Sequence, residues 1–184
     1  MLRLQQATDK ASDSMAPAGT ARPLEVAPGR DGELAVTDAG PADLAAIVAL
    51  DERITGIARA EFWNHFFAQR AASDTLTVLV ARKKASGSGE LIGYAMGEVR
   101  AWPVRAPACG WIYAIGVEKS HRLQRAASVL MAELIARFRA HGCGTVRTMI
   151  DVDDHLLMSF LRSQGMTAGP FVELEMQIDP KIDP

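Results

Sequence analysis

The residues best placed for chemistry lie where a buried strand runs into a long helix. The strand reads WIYAIGV over residues 111–117, and the junction after it reads GVEKSHRLQRAAS over residues 116–128. A helix that begins there presents unpaired backbone N–H groups and the positive end of its dipole, which together bind anions. Arg122 and Arg125 add positive charge at the same place. The junction therefore predicts an anion site, although an ordinary strand–helix turn with solvated arginines has the same composition.

The sequence lacks the familiar nucleotide-binding and metal-binding patterns. Neither GxxxxGK[ST] nor GxGxxG follows a strand, which argues against a P-loop or Rossmann enzyme. Residues 151–155, DVDDH, lack the glycine and the twelfth-position glutamate of a calcium loop. The histidines lack zinc spacing, so we expect no metal. Cys109 has no nucleophile signature around it and is interpreted as a small buried side chain.

Alternating strand and helix patterns predict the elements that must hold this junction. A helix opens at GPAD, residues 40–43, because proline suits the first helical position and aspartate the positive dipole end. A hairpin joins two of the strands below, 75–82 and 91–100, and residues 102–107 form a rigid loop. The predicted strands are 33–37, 75–82, 91–100, 111–117, 145–152 and 171–178, and the further predicted helices are 58–71, 123–138 and 155–164. Gly142 and Gly165 are expected to end the last two of these helices.

The composition is that of one globular domain with a polar leader. The chain has 184 residues, 48% apolar and 23% charged, with a net charge of −2, which argues against a general nucleic-acid binder. Residues 1–32 are predicted to be a flexible leader, with a weak amphipathic turn as the alternative, and residues 179–184 a loose tail. Neither a secretory signal nor an apolar run of the ~18 residues that span a membrane is present. We therefore expect a cytoplasmic protein without membrane or nucleic-acid partners.

Three segments carry a further indication when they are taken in chain order. They are LAVTDAGPADLAAI at 34–47, IYAIGVEKSHR at 112–122, and Asp154 followed by FLRSQGM at 160–166. Together they resemble the opening, the fourth strand and the late helix of the GNAT superfamily of acyl-CoA-dependent N-acyltransferases. The resemblance covers about residues 33–178. It implies an α/β fold of GNAT type, with a central mixed twisted sheet flanked by helices.

The resemblance implies a coenzyme A site at the junction. The family's pyrophosphate turn has the pattern Arg/Gln-x-x-Gly-x-Gly/Ala, which Arg122 and Ala127 fit at its ends, whereas Arg125 replaces the central glycine. We expect Arg125 to be tolerated without a positive φ, with its side chain outward or on a phosphate. The implied pyrophosphate residues are Arg122, Leu123, Gln124, Arg125, Ala126, Ala127 and Ser128, and the implied pantetheine residues are Ile115, Gly116, Val117 and Asp154.

The acid and the base of the family are missing from their usual places. The late-helix tyrosine that protonates the departing thiolate corresponds to Leu161, and the acidic position of the fourth strand lies near Trp111. Glu98, on the preceding hairpin strand, is the candidate base, and Tyr113 is a second candidate. A solvated carboxylate and a packing tyrosine are the alternatives. Asp154 stands where relatives have asparagine, and it could equally cap the following helix.

The resemblance implies transfer of an acetyl or other short acyl group from acyl-CoA to a primary amine by direct attack. Acetyl-CoA would be the co-substrate, and backbone N–H groups of residues 115–117 would polarise the thioester carbonyl. Asp51 and Glu52 are candidates to attract the amine, whose identity stays open, as does a homodimer. A module that holds acyl-CoA without turnover is the alternative, because of Leu161 and Arg125. An unrelated α/β protein is a third reading.

Overall fold

A computed structural model describes residues 34–83, 89–102 and 106–178. The side chains of residues 102, 106 and 122–124 lie outside the description. Contacts between residues divide the chain into two units, of which residues 34–151 and residues 152–178 are the described parts. The predicted leader at 1–32, the turn at 84–88 and the tail at 179–184 fall outside the described residues.

The larger unit is built on a mixed sheet, which over the described residues has five strands in the order β1-β2-β3-β4-β5. The first four strands pair as antiparallel neighbours, and β5 runs parallel to β4. The α/β fold with a mixed sheet is therefore confirmed, and so is the hairpin of β2 and β3. The strands are β1 Leu34–Asp38, β2 Leu76–Lys83, β3 Leu91–Trp102, β4 Ala106–Val117 and β5 Val146–Thr148.

Helices pack on both faces of this sheet. Because alternate residues of a strand face opposite sides, Tyr94 and Met96 face the first two helices, whereas Gly93 and Gly97 face the third. A Cβ added at Gly97 would lie 2.6 Å from Phe138 Cζ, so the glycine lets the third helix approach the sheet closely. The helices are α1 Leu44–Thr55, α2 Ala60–Arg70 and α3 Ala126–Ala140.

Proline, aspartate and glycine residues lie where the helices of the larger unit begin and end. Pro41 opens a short 3-10 helix ahead of α1, and the Asp43 carboxylate accepts a hydrogen bond from the Gly40 backbone N–H at 2.8 Å. Gly56 after α1 and Gly142 after α3 have φ of 76° and 77°, a conformation that glycine adopts without steric cost. Over the described residues, no helix combines the length and the apolar composition needed to cross a membrane.

Two boundaries in the larger unit differ from the prediction. The loop predicted at 102–107 is wrong at both ends, because β3 continues to Trp102 and β4 begins at Ala106. Pro107 lacks a backbone N–H, but β5 pairs only with Gly110–Ile112, so this part of β4 has one edge that needs no donor. The long helix begins at Ala126, three residues later than predicted, because a 3-10 helix occupies 119–124.

The smaller unit contains α4, His155–Ser163, and the segment after it. Gly165, with φ of 85°, follows the helix as predicted. The strand predicted at 171–178 is wrong, since these residues have no regular secondary structure and their side chains are exposed, Leu174 to 91%. Alternating apolar residues predict a strand only where a neighbour supplies the ladder, and no such ladder forms here among the described residues. β5 is likewise shorter than the predicted 145–152.

Candidate active site

The edge of β4 opens partway along the strand. β5 pairs with β4 over Gly110–Ile112 and then ends. Over residues 113–116, no described strand pairs with β4 on that side. An extended ligand with amide groups can add to such an edge as a further strand does. The predicted pantetheine residues Ile115 and Gly116 lie on this open edge, and Val117 ends the strand.

A β-bulge in β4 lies at Tyr113. Met96 of β3 pairs with Ala114 and Gly97 pairs with Ile112, so Tyr113 is the extra residue between them. A bulge interrupts the ladder and re-aims a side chain, and bulges are common beside active sites. The ring of Tyr113 packs against Phe66 of α2, with ring centroids 5.0 Å apart. The side chain therefore points to the face of the sheet that α1 and α2 cover.

The two predicted catalytic residues touch each other at this bulge. The hydroxyl of Tyr113 donates a hydrogen bond to Glu98 Oε2 at 2.8 Å, and both side chains are half-buried. Burial, and then the adjacent Glu98 carboxylate, raise the pKa of Tyr113 to about 12. The phenol is therefore protonated at neutral pH and serves as a donor to Glu98. Its oxygen lone pairs can still accept a hydrogen bond from an amine.

Arg100 belongs to the same cluster, although the sequence analysis did not single it out. Its guanidinium carbon lies 6.0 Å from the ring centroid of Tyr113 and 5.7 Å from that of Trp111. Trp111, at the position where the family places an acidic residue, pairs with Glu98 across β3 and β4. The signal that could have found Arg100 is its spacing of two from Glu98, which puts both residues on one face of a strand.

A second carboxylate, Asp51 of α1, lies on the same side of the sheet and is fully buried. Arg59 Nε and Trp63 Nε1 each donate to it at 2.9 Å, Arg59 Nη2 donates at 2.5 Å, and the Tyr94 hydroxyl also donates. Burial by itself raises the pKa of Asp51, but the hydrogen bonds from Arg59, Tyr94 and Trp63 outweigh burial and lower it. The prediction that Asp51 attracts an amine is wrong, because protein donors occupy both of its oxygens. Glu52, by contrast, is exposed.

Arg125 has a backbone conformation that the sequence analysis did not expect. Its φ is 61° and its ψ is 10°, which makes it the one non-glycine residue with positive φ in the described part of the chain. The expectation of a negative φ is therefore wrong. The family pattern has glycine here because glycine alone adopts this conformation freely, whereas another residue loses roughly 1–2 kcal/mol. The side chain of Arg125 is exposed, and its carbonyl accepts the first hydrogen bond of α3 from Val129 N–H at 3.0 Å.

The other residues predicted to bind the pyrophosphate lie on two short segments around Arg125. Arg122, Leu123 and Gln124 end the 3-10 helix Lys119–Gln124, and their side chains lie outside the description. Ala126, Ala127 and Ser128 form the first turn of α3, whose N–H groups have no partner within the helix. The predicted order of open strand, turn and helix N-terminus is present in the structure.

An ion pair connects this turn to the end of α1. Glu118, which follows β4, accepts hydrogen bonds from the Lys119 backbone N–H at 2.9 Å and from Arg53 Nε at 3.1 Å. The hydrogen bond from Arg53 is the main cause of a lowered pKa of Glu118. Since Arg53 is more than half exposed, this surface pair contributes little stability, and its effect is to orient the turn.

Two predicted positions lie in the smaller unit. Asp154 Oδ1 accepts a hydrogen bond from the Leu157 N–H at 2.9 Å, so Asp154 caps α4. Leu161, which replaces the family's tyrosine, is buried. In the larger unit Cys109 is fully buried, as interpreted from the sequence. Within residues 34–83, 89–102 and 106–178, no group of three or more His, Cys, Asp or Glu side chains is arranged to hold a metal ion.

A shallow groove of about 480 Å³ runs along α1. Leu44, Val48 and Asn64 are among the residues that line it. The groove contains Glu52 but neither Glu98 nor Tyr113, so it does not include the Glu98–Tyr113 pair.

Comparisons with known proteins identify a family and a shared fold. Residues 45–166 match the sequence model of the acetyltransferase (GNAT) family. A comparison with curated proteins finds no sequence match. Among solved structures, the chain is similar to the aminoglycoside N-acetyltransferase AAC(6')-Iy in complex with CoA, at 15% identity and a TM-score of 0.69 over 83% of this chain and 100% of that chain.

Two further solved structures show the same fold. The aminoglycoside 6'-N-acetyltransferase AAC(6')-IG from Acinetobacter haemolyticus is 18% identical, with a TM-score of 0.65 over 79% of this chain and 99% of that one. The glucosamine-6-phosphate N-acetyltransferase from Arabidopsis thaliana is 16% identical, with a TM-score of 0.60 over 79% of this chain and 99% of that one. At these identities the similarity establishes a shared fold. The acceptor substrates named for these enzymes describe those enzymes alone.

Proposed function

Because the chain belongs to the acetyltransferase (GNAT) family and is thus an N-acetyltransferase of GNAT type, we propose that it transfers an acetyl or other short acyl group from acyl-CoA to a primary amine. The observation that carries the proposal is the family match over residues 45–166, which spans β2, β3, β4, the pyrophosphate turn and α3. The similarity to a GNAT-fold structure that contains CoA supports acetyl-CoA as the co-substrate.

The proposed coenzyme site follows the open edge of β4 into α3. Ile115 and Gly116 pair with the amide groups of pantetheine, because β5 ends before it reaches them, and Val117 is the last residue of this proposed pantetheine segment. The amides at the start of α3, with residues 122–128 around them, hold the pyrophosphate. Asp154 caps α4 through Oδ1, and its role in pantetheine binding stays a prediction from the sequence.

The proposed chemistry uses the Glu98–Tyr113 pair as the base. The neutral amine attacks the thioester carbon, and the backbone N–H groups of residues 115–117 stabilise the oxygen that becomes negative. The amine proton passes to Glu98, either directly or through the Tyr113 hydroxyl, which already donates to that carboxylate at 2.8 Å. The C–S bond then breaks. Water supplies the proton to the coenzyme thiolate, because Leu161 has no proton to give.

Two observations favour a second candidate, a GNAT-fold module that binds acyl-CoA without turnover. Leu161 stands where relatives have the proton donor, and Arg125 has a positive φ where relatives have glycine. Leu161 removes a catalytic group, and Arg125 puts a side chain beside the proposed phosphate site. The Glu98–Tyr113 pair supports the enzyme, because Glu98 is only half-buried and keeps acceptor capacity for an amine proton.

Thiol release and thermal stability together separate the candidates. We expect acetyl-CoA to raise the melting temperature of the full chain, and a primary amine from a chemically diverse panel to release free coenzyme thiol at a rate above that of buffer. Stabilisation without thiol release for any amine would establish the module. If acetyl-CoA does not stabilise the chain and no amine releases thiol, both candidates are excluded.

A further inference from the structure

Glu98 and Arg100 carry opposite charges on one strand face without pairing. They are two residues apart on β3, so their Cα atoms are separated by about 6.6 Å along the strand. Neither forms an ion pair with the other or with another residue in the described part of the chain. Arg100 lies over the faces of Trp111 and Tyr113 instead, and Glu98 accepts the Tyr113 hydroxyl. The ring of Tyr113 therefore connects a separated negative and positive charge.

The two charges of this pair balance each other. Glu98 contributes one negative charge and Arg100 one positive charge, while Asp51 is already paired with Arg59. A polycationic acceptor gains no net attraction from such a surface, because complementarity would require an excess of carboxylates. The face suits a ligand that carries one positive and one negative group of its own.

Resting on the proposed function, we infer that the acceptor is an amino acid, in which the primary amine lies within a few bonds of a carboxylate. The amine is bound by Glu98 and the Tyr113 hydroxyl, and the carboxylate is bound by the Arg100 guanidinium, which can donate two parallel hydrogen bonds to it. Glu98 and Arg100 project from the same face of β3, so one small ligand can contact both side chains.

The rings beside these charges define the remainder of the acceptor. Tyr113 packs against Phe66, and Phe66 packs against Phe62, with ring centroids 5.0 and 4.9 Å apart. Phe62 and Phe66 are both partly buried against the core. An apolar or aromatic side chain of the amino acid contacts this wall better than a polar one. Phenylalanine is accordingly the probe of choice.

Matched acceptors test the inference. L-phenylalanine, its amide and phenethylamine share the ring and the amine, but the amide and phenethylamine lack the negative charge. We expect kcat/KM for thiol release to be about tenfold to hundredfold higher with L-phenylalanine, the range that one charge-assisted contact provides. Arg100→Gln should reduce this preference to about one, and Arg100→Lys should retain part of it. Arg139→Gln, at an exposed arginine of α3, is the control and should retain all of it.

The possible outcomes distinguish a failure of this inference from a failure of the proposed acyltransferase function. Thiol release with phenethylamine and with kanamycin, a polycation, but not with L-phenylalanine, would overturn the inference and leave the acyltransferase intact. Equal losses for all three matched acceptors in Arg100→Gln would also overturn it, because they would place Arg100 outside carboxylate binding. An absence of thiol release with every amine would overturn the proposed function, and the inference with it.

Discussion

Two carboxylates on the same side of the sheet, Asp51 and Glu98, differ in how fully the protein satisfies them. Each accepts a hydrogen bond from a tyrosine hydroxyl on a neighbouring element, Tyr94 for Asp51 and Tyr113 for Glu98. Asp51 is fully buried and also accepts from Arg59 and Trp63. Glu98 is half-buried and has the tyrosine alone as its hydrogen-bond partner among the described residues.

This difference supports the proposal that Asp51 is structural and Glu98 reactive. The four hydrogen bonds to Asp51 hold α1, the start of α2 and β3 together, and they leave no lone pair facing a substrate. Glu98 keeps acceptor capacity and access to solvent, both of which proton transfer requires. Composition alone does not distinguish the two, because each is an acidic residue in an apolar neighbourhood.

Removing the charge of Asp51 should have the largest effect on stability. Asp51→Asn leaves Arg59 without its partner, and we expect a loss of about 3–5 kcal/mol in the free energy of unfolding. The adjacent Glu52→Gln is the matched control, since Glu52 is exposed and its change should stay within about 0.5 kcal/mol. Urea denaturation of both variants measures the difference. A loss below about 1 kcal/mol for Asp51→Asn would show that the cluster does not hold the fold together.

Gly116→Ala tests whether the Asp51 cluster supports the open edge of β4. A Cβ at Gly116 would lie 2.6 Å from Tyr94 Cζ, and the hydrogen bond to Asp51 prevents the ring from moving away. We expect a loss of about 1–3 kcal/mol in unfolding free energy. In a Tyr94→Phe background the same substitution should cost less, because the ring is no longer held. Strictly additive losses in the double variant would show that the Asp51 cluster and the edge of β4 are not coupled.

The pH dependence of stability should differ between Asp51 and Tyr113, the hydrogen-bond partner of Glu98. Asp51 has a lowered pKa, so its contribution is present above pH 3.8, its ordinary value, and is lost as the pH falls below it. Tyr113, beside Glu98, has a pKa raised from 10.0 to about 12, so its contribution is complete below pH 10 and is lost as the pH rises towards 12. Unfolding measured across both ranges should show a flatter acid limb in Asp51→Asn. Tyr113→Phe should flatten the alkaline limb. An acid limb flattened by Tyr113→Phe, or an alkaline limb flattened by Asp51→Asn, would contradict the comparison.

Arg125 extends the comparison to a strained backbone, with a smaller effect. Arg125→Gly removes the side chain from a residue with φ of 61°, and we expect a gain of about 1 kcal/mol in unfolding free energy. Arg125→Ala removes the same charge and keeps the strain, so it should show no such gain. Chemical denaturation of the two variants distinguishes strain from charge. Equal stability of both would show that the backbone conformation costs nothing.

Local patterns predicted the fold because most of its elements are periodic. The strands that became β2, β3 and β4 show apolar runs, and Gly142 and Gly165 mark helix ends at the positions expected. The alternation of apolar residues at 171–178 wrongly predicted a strand, because a strand also needs a neighbouring strand, which no local pattern encodes. The boundary of β4 was missed for the same reason, since pairing with β3 outweighs the proline at 107.

The candidate site was predictable only in part. Glu98 and Tyr113 were selected separately, and their contact depends on a bulge that exists only in the register between β3 and β4. The donors to Asp51 come from α2 and from a strand 43 residues away, so sequence spacing could not identify them. The positive φ of Arg125 could have been predicted from the sequence. Arg125 replaces the central glycine of the turn pattern, and such a glycine marks a position where the backbone needs a positive φ.

A double-mutant cycle on Glu98 and Tyr113 is the most direct test of the reactive pair. We expect Glu98→Gln and Tyr113→Phe each to lower kcat/KM for thiol release by about 10²-fold or more. The double variant should lose no more than the worse single variant, because the two groups act as one unit. The unfolding free energy of each should change by about 1 kcal/mol or less. Losses that multiply in the double variant, or single variants with unchanged kcat/KM, would contradict the account.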